Sequence, residues 1–236
     1  MLRSVIVIGL ILLAASICRA QESAAADRAK IYEPLIIDAA IQHRVDPRLL
    51  WTVAYLETRF RPREVSPKGA LGLMQFMPAT AQRYGLRSPF DPGQAIDAAA
   101  RYLRDLQELF GNRLVLILAA YNAGEGAVEA YRSGKKLTLS NGTIINPKEV
   151  KAPIPPYRET ITYVMAGVEI FKQLVEAKYF SEQHLARLRT INPLTDEKAI
   201  RITVYLEDTP ADDVDLQNGS VYAFEEAPPG VKNSHR

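Results

Sequence analysis

Two Asp-Pro pairs, Asp46-Pro47 and Asp91-Pro92, fix where helices of this chain must begin. Aspartate accepts hydrogen bonds from the free amides of a first turn, and proline suits the first helical position, where its missing N–H would have had no partner. Behind each pair the apolar residues recur at spacings of three and four. After Asp46 they are Leu50, Val53 and Phe60; after Asp91 they are Ile96, Ala99, Leu103, Leu106 and Phe110, with Gly111 as the stop. Pro78 to Tyr84 is a shorter helix closed by Gly85, and Leu114 to Tyr121 is another, closed by the run AYNAGEG. Ile31 to Val45 and Ile154 to Phe180 carry the same period. A chain punctuated in this way is mainly α. With 47% hydrophobic residues in 236 it has enough for one sizeable core and an appendage.

One residue interrupts the first stripe. Glu57 falls in line with Leu50, Val53 and Phe60, so the spacing puts a carboxylate where an apolar side chain is expected. Two readings are open. The side chain swings out to water near the helix end, as most glutamates do, because an unpaired buried carboxylate is costly. Alternatively its apolar neighbours disfavour the charged form and raise its pKa, leaving an acid able to protonate the leaving oxygen of a glycosidic bond.

The next segment, SPKGALGLMQFMPAT from Ser66 to Thr80, is too rich in glycine for a helix, yet it holds Met74, Phe76 and Met77. Such a loop is expected to form a wall, with Gln75 offering donors and an acceptor suited to an amide or a sugar hydroxyl. Farther on, Tyr121 and Asn122 stand where a helix must end, which by itself fits a helix C-cap. Glu159 and Tyr163, four apart, share one side of a later helix.

Four motifs then occur in order: ETRF at Glu57 to Phe60, SPKGALGLMQFMPATA at Ser66 to Ala81, AYNAG at Ala120 to Gly124, and PYRETITYV at Pro156 to Val164. Together they resemble the soluble lytic transglycosylase family, relatives of goose-type lysozyme, over residues 30 to 180. The resemblance implies a lysozyme-like multi-helix domain acting on peptidoglycan glycan strands. Glu57 would be the general acid and then the base, cleaving between N-acetylmuramic acid and N-acetylglucosamine and closing a 1,6-anhydro ring. Ser66 and Gln75 would hold Glu57 or the acetamido group, and Met74 and Met77 would pack on the sugar. Tyr121, Asn122, Glu159 and Tyr163 would line and close the cleft. A lysozyme-type hydrolase with a second acid, or a non-catalytic glycan-binding module, are the competing readings.

The remaining calls concern organisation. Residues 1–20 read as an export signal: Arg3, an apolar run from Val5 to Ala15, then Cys18-Arg19-Ala20 as a small-x-small site. The run is shorter than a membrane span needs, so no stable insertion is expected after cleavage, and the protein is expected in the periplasm or cell envelope. Ile17 before Cys18 disfavours lipidation. Cys18 is the single cysteine, so neither a disulfide framework nor a thiolate metal site is expected. His43, His184 and His235 form no metal-binding spacing, and no cofactor is expected.

The formal charge is +2, and removing Arg3 and Arg19 with the leader brings it to zero, giving no long-range pull toward nucleic acid. Residues 21–29 read as a flexible lead-in. LTLS and TIIN around Asn141-Gly142 predict a β-hairpin inserted between core helices. The extension 181–236 reads as short α/β structure, partly disordered, with a strand from Ile200 to Leu206 and a partner near Val221 to Phe224. It has no assigned role. For the protein as a whole, cell-envelope proteins are the kind of protein partner expected.

Overall fold

The computed structural model describes residues 2–138, 142, 144–145 and 152–181, and for 2–22 and Ile145 the backbone alone. Among the described residues seven helices and a two-stranded ribbon follow in order: α1 (Leu2–His43), α2 (Pro47–Thr58), α3 (Pro78–Arg83), α4 (Pro92–Phe110), α5 (Leu114–Ala123), α6 (Glu125–Ser133), β1 (Leu137–Thr138), β2 (Ile144–Ile145) and α7 (Arg158–Glu176). The fold is mainly α, as expected.

The Asp-Pro starts form as the residues dictate. Asp46 accepts from the Arg48 amide and Asp91 from the Gln94 amide, each with proline at the start of the helix. The Asp46 side chain also pairs with the Arg48 guanidinium at 2.6 Å, and both side chains are almost fully buried. The same guanidinium lies 5.4 Å over the Phe171 ring, so the start of α2 is pinned to α7. At its other end α2 stops in two consecutive left-handed residues, Arg59 and Phe60. Phe60 is therefore past the helix, yet it is completely buried.

α5 is apolar all round, the pattern of a helix enclosed by others, and it packs against α4, α6 and α7. α4 buries Ile96, Ala99, Leu103, Leu106 and Phe110 as the period requires. α7 buries Thr160, Val164, Gly167, Phe171 and Leu174. Gly167 lets α7 come close: a Cβ there would lie 2.8 Å from a Leu118 methyl and 3.0 Å from a Leu56 methyl. α7 is thereby pressed onto both α5 and α2.

Two expectations are corrected. Residues 21–29 are not a flexible lead-in: α1 runs through them, with Ala25 and Ala29 fully buried. Alanine is the best helix former, and this alanine spacing continues the buried face of Ile36 and Ala40. α6 occupies residues that the apolar period did not mark. The helix expected from Ile154 begins only at Arg158. The ribbon pairs Leu137 with Ile145 and Thr138 with Ile144, antiparallel, as the hairpin signal predicts. The leader's side chains, Asn141 and the extension from residue 182 lie outside the described residues.

Candidate active site

Glu57 sits in the last turn of α2, and four elements converge on it. Thr58 donates to the Leu73 carbonyl at 2.9 Å, tying the end of α2 to the loop 61–77. Tyr121, from α5, donates to the Met74 carbonyl at 3.0 Å and holds the same loop from the other side. Tyr163, from α7, donates to Glu57 Oε1 at 2.8 Å. The loop itself is folded back by antiparallel bridges between Leu71 and both Val65 and Phe76. Gly72 makes its close approach possible, since a Cβ there would fall 1.9 Å from the Pro89 carbonyl oxygen and its φ is +74°.

The Glu57 carboxyl is poorly hydrated. Burial pushes its pKa up to about 7, the Tyr163 hydrogen bond opposes that rise, and the Glu159 charge adds to it. Burial also pushes Tyr121 and Tyr163 well above the ordinary phenol value, with the Glu57 charge adding to the rise in both. Both hydroxyls therefore remain donors throughout the neutral range. Of the two readings the sequence left open, the side chain turned into the protein is the one found.

The expected residues divide. Tyr163 meets Glu57 directly. Met77 is 44% exposed and lines a cavity of about 250 Å³ together with Gln75, Tyr121 and Asn122. Met74 does not face that cavity as a sugar platform: its side chain is fully buried, and its carbonyl serves Tyr121. A loop without a period gave no sign of which apolar residue turns inward.

Gln75, though it lines the cavity, and the two remaining residues, Ser66 and Glu159, make their bonds within the loop or across the surface. Gln75 spends its amide hydrogens on the Glu64 and Gly72 carbonyls, at 3.2 and 2.9 Å, and so braces the loop. Ser66 Oγ accepts from the Ala70 amide at 2.9 Å within the same loop. Glu159 is exposed and pairs with Lys68 at 2.7 Å, linking the loop to the start of α7 across the surface.

Four further residues belong to the site. Arg83, Tyr102 and Glu125 also line the cavity. Tyr102 donates to Glu125 Oε2 at 2.9 Å, while Arg83 bonds Oε1 and lies 5.3 Å over the Tyr102 ring. Burial works to raise the Glu125 carboxyl, but the bonds from Arg83, its own backbone N–H and Tyr102 together hold it below the usual carboxylate value. Thr160 donates to Asn122 Oδ1 at 2.8 Å. These residues come from α3, α4, α6 and α7 and share no local pattern; the one available signal was Glu125 following AYNAG. Among the described residues no group of side chains is arranged to hold a metal.

A helical domain that holds a poorly hydrated glutamate against a tyrosine hydroxyl, near an open cavity, defines a lysozyme-like class of protein. Residues 34–141 match the family described as the transglycosylase SLT domain. It is 38% identical over 136 residues to membrane-bound lytic murein transglycosylase F of Alcanivorax borkumensis, covering 55% of this chain and 28% of that protein. It is 34% identical over 131 residues to a transglycosylase of Enterobacteria phage PRD1, covering 51% of this chain and 49% of that one. The chain thus spans about a quarter to a half of the length of these relatives. A solved complex of the 70-kDa soluble lytic transglycosylase with bulgecin A shares the fold, with a TM-score of 0.50 at 24% identity over 62% of this chain and 24% of that one.

Proposed function

We propose that this protein is a peptidoglycan lytic transglycosylase of the cell envelope, with Glu57 as its acid and base. The observation that carries the reading is the Glu57 carboxyl, buried enough to hold its proton up to about pH 7 and gripped by Tyr163. The SLT domain and the names of its relatives supply the substrate class.

Protonated Glu57 gives its proton to the oxygen between N-acetylmuramic acid and N-acetylglucosamine as the anomeric bond breaks, with the neighbouring N-acetyl carbonyl assisting. The carboxylate so formed takes the proton of the C6 hydroxyl, which attacks C1 and closes the 1,6-anhydro ring. The proton returns to its starting oxygen and no water is consumed. A positioned acid of this kind contributes typically 10²- to 10⁴-fold in rate. Tyr163 keeps the carboxyl aimed, and the side chains that line the neighbouring cavity receive the glycan.

Most glycosidases place two carboxylates about the bond. Glu125 is the carboxylate that lines the cavity, but its oxygens are committed to Arg83 and Tyr102, which favours the single-acid route. Purified sacculi digested with the protein, followed by mass spectrometry of the soluble fragments, test the proposal. Anhydro-muramic ends are expected; reducing ends would make it a hydrolase, and binding without release would make it a glycan-binding module.

A further inference from the structure

Asn122 ends α5 beside the cavity, and Thr160 sits in the first turn of α7 with 1% of its surface exposed. The Thr160 hydroxyl gives its proton to Asn122 Oδ1 at 2.8 Å. A buried hydroxyl that loses its acceptor is costly, so this bond selects one of the two orientations open to the asparagine amide. With the oxygen turned onto α7, the NH₂ group is the end left to the cavity that Asn122 lines.

We propose that Thr160 is a positioning residue that makes Asn122 a hydrogen-bond donor to the ligand, and that the group it receives is the carbonyl oxygen of an N-acetyl group. Among the neutral groups of a glycan strand that carbonyl is the strong acceptor that cannot itself donate, so an amide presenting NH₂ discriminates for it, whereas a hydroxyl would satisfy either end. The inference rests on the glycan-cleaving reading given above. It adds that recognition at Asn122 is set from α7, by a side chain that never touches the sugar.

Calorimetric binding of tetra-N-acetylchitotetraose to the full chain tests this in a catalytically silent Glu57→Gln background. In that background Thr160→Val is expected to weaken binding roughly 3- to 10-fold, the size of one neutral hydrogen bond, and Thr160→Ser to restore it. Asn122→Asp, nearly isosteric but without NH₂, is expected to lose as much, and it also serves if Thr160→Val fails to fold. Adding Thr160→Val to Asn122→Ala is expected to cost nothing further.

Binding unchanged in Thr160→Val or in Asn122→Asp, no rescue by serine, or additive losses in the double variant would overturn the positioning role while leaving the glycan reading intact. Absence of binding by the background protein, together with no release from sacculi by the unmutated chain, would overturn both.

Discussion

The Tyr163 hydroxyl donates to Glu57 Oε1 at 2.8 Å, joining residues 106 positions apart on two helices that the small side of Gly167 lets come together. The bond favours the charged carboxylate, while burial and the Glu159 charge favour the neutral acid. The pH profile of the reaction therefore depends on both partners, with opposite signs. A general acid is lost as pH rises through its pKa, so the alkaline limb of sacculus solubilisation is expected near pH 7. Tyr163→Phe should lower the rate and move that limb upward. Glu159→Gln should move it slightly downward. Limbs that shift the other way would remove Glu57 as the titrating acid.

The same carboxyl is a stability determinant. Its folded pKa lies above the ordinary 4.5, so between about pH 4.5 and 7 the folded state binds more protons than the unfolded one and stability falls as pH rises. Glu57→Gln should therefore be more stable than the parent at pH 8, by about 3 kcal/mol at most, with the advantage gone at pH 4. Chemical denaturation at both pH values measures it. A variant equally or less stable at pH 8 would mean that the carboxyl is well hydrated.

Gly72 and Gly69 both have positive φ, but only Gly72 is walled in. Gly72→Ala drives a methyl into the Pro89 carbonyl and should displace the loop that holds Met74 and Gln75, costing well over 2 kcal/mol and most activity. Gly69→Ala meets nothing and should cost only about 1 kcal/mol, the strain of a left-handed alanine. Thermal unfolding of the two variants side by side decides the matter, and equal losses would contradict the close approach.

Asp46 and Arg48 are a buried pair that caps α2 and reaches α7. Asp46→Ala strands the guanidinium and should cost about 3 to 5 kcal/mol. Adding Arg48→Met should recover much of this by removing the unpaired charge, although the lost cap, worth about 1 kcal/mol, remains. Urea titration of the single and double variants tests it; a double variant no better than the single one would contradict the pairing.

What the sequence disclosed follows the range of the physics. Asp46-Pro47 and Asp91-Pro92 act within one turn, so the starts of α2 and α4 were legible from a few residues. The left-handed stop at Arg59 and Phe60 was not, because neither residue is glycine and the turn is imposed by burial of Phe60. Glu57 was legible as an anomaly in an apolar stripe, and Tyr163 through the ordered motifs. Thr160, Arg83, Tyr102 and Glu125 were not, since they come from four separate helices that only the tertiary fold brings near the cavity. The side chains of Met74 and Met77 could not be told apart in a loop without a period; one is core and the other faces the cavity.

The most direct test of the account is the titration of Glu57 itself, followed by carboxyl ¹³C chemical shift in protein labelled at glutamate and assigned with Glu57→Gln. A midpoint near 7 is predicted. A midpoint at the ordinary glutamate value, near 4.5, would leave this side chain ionised at neutral pH and without a proton to give.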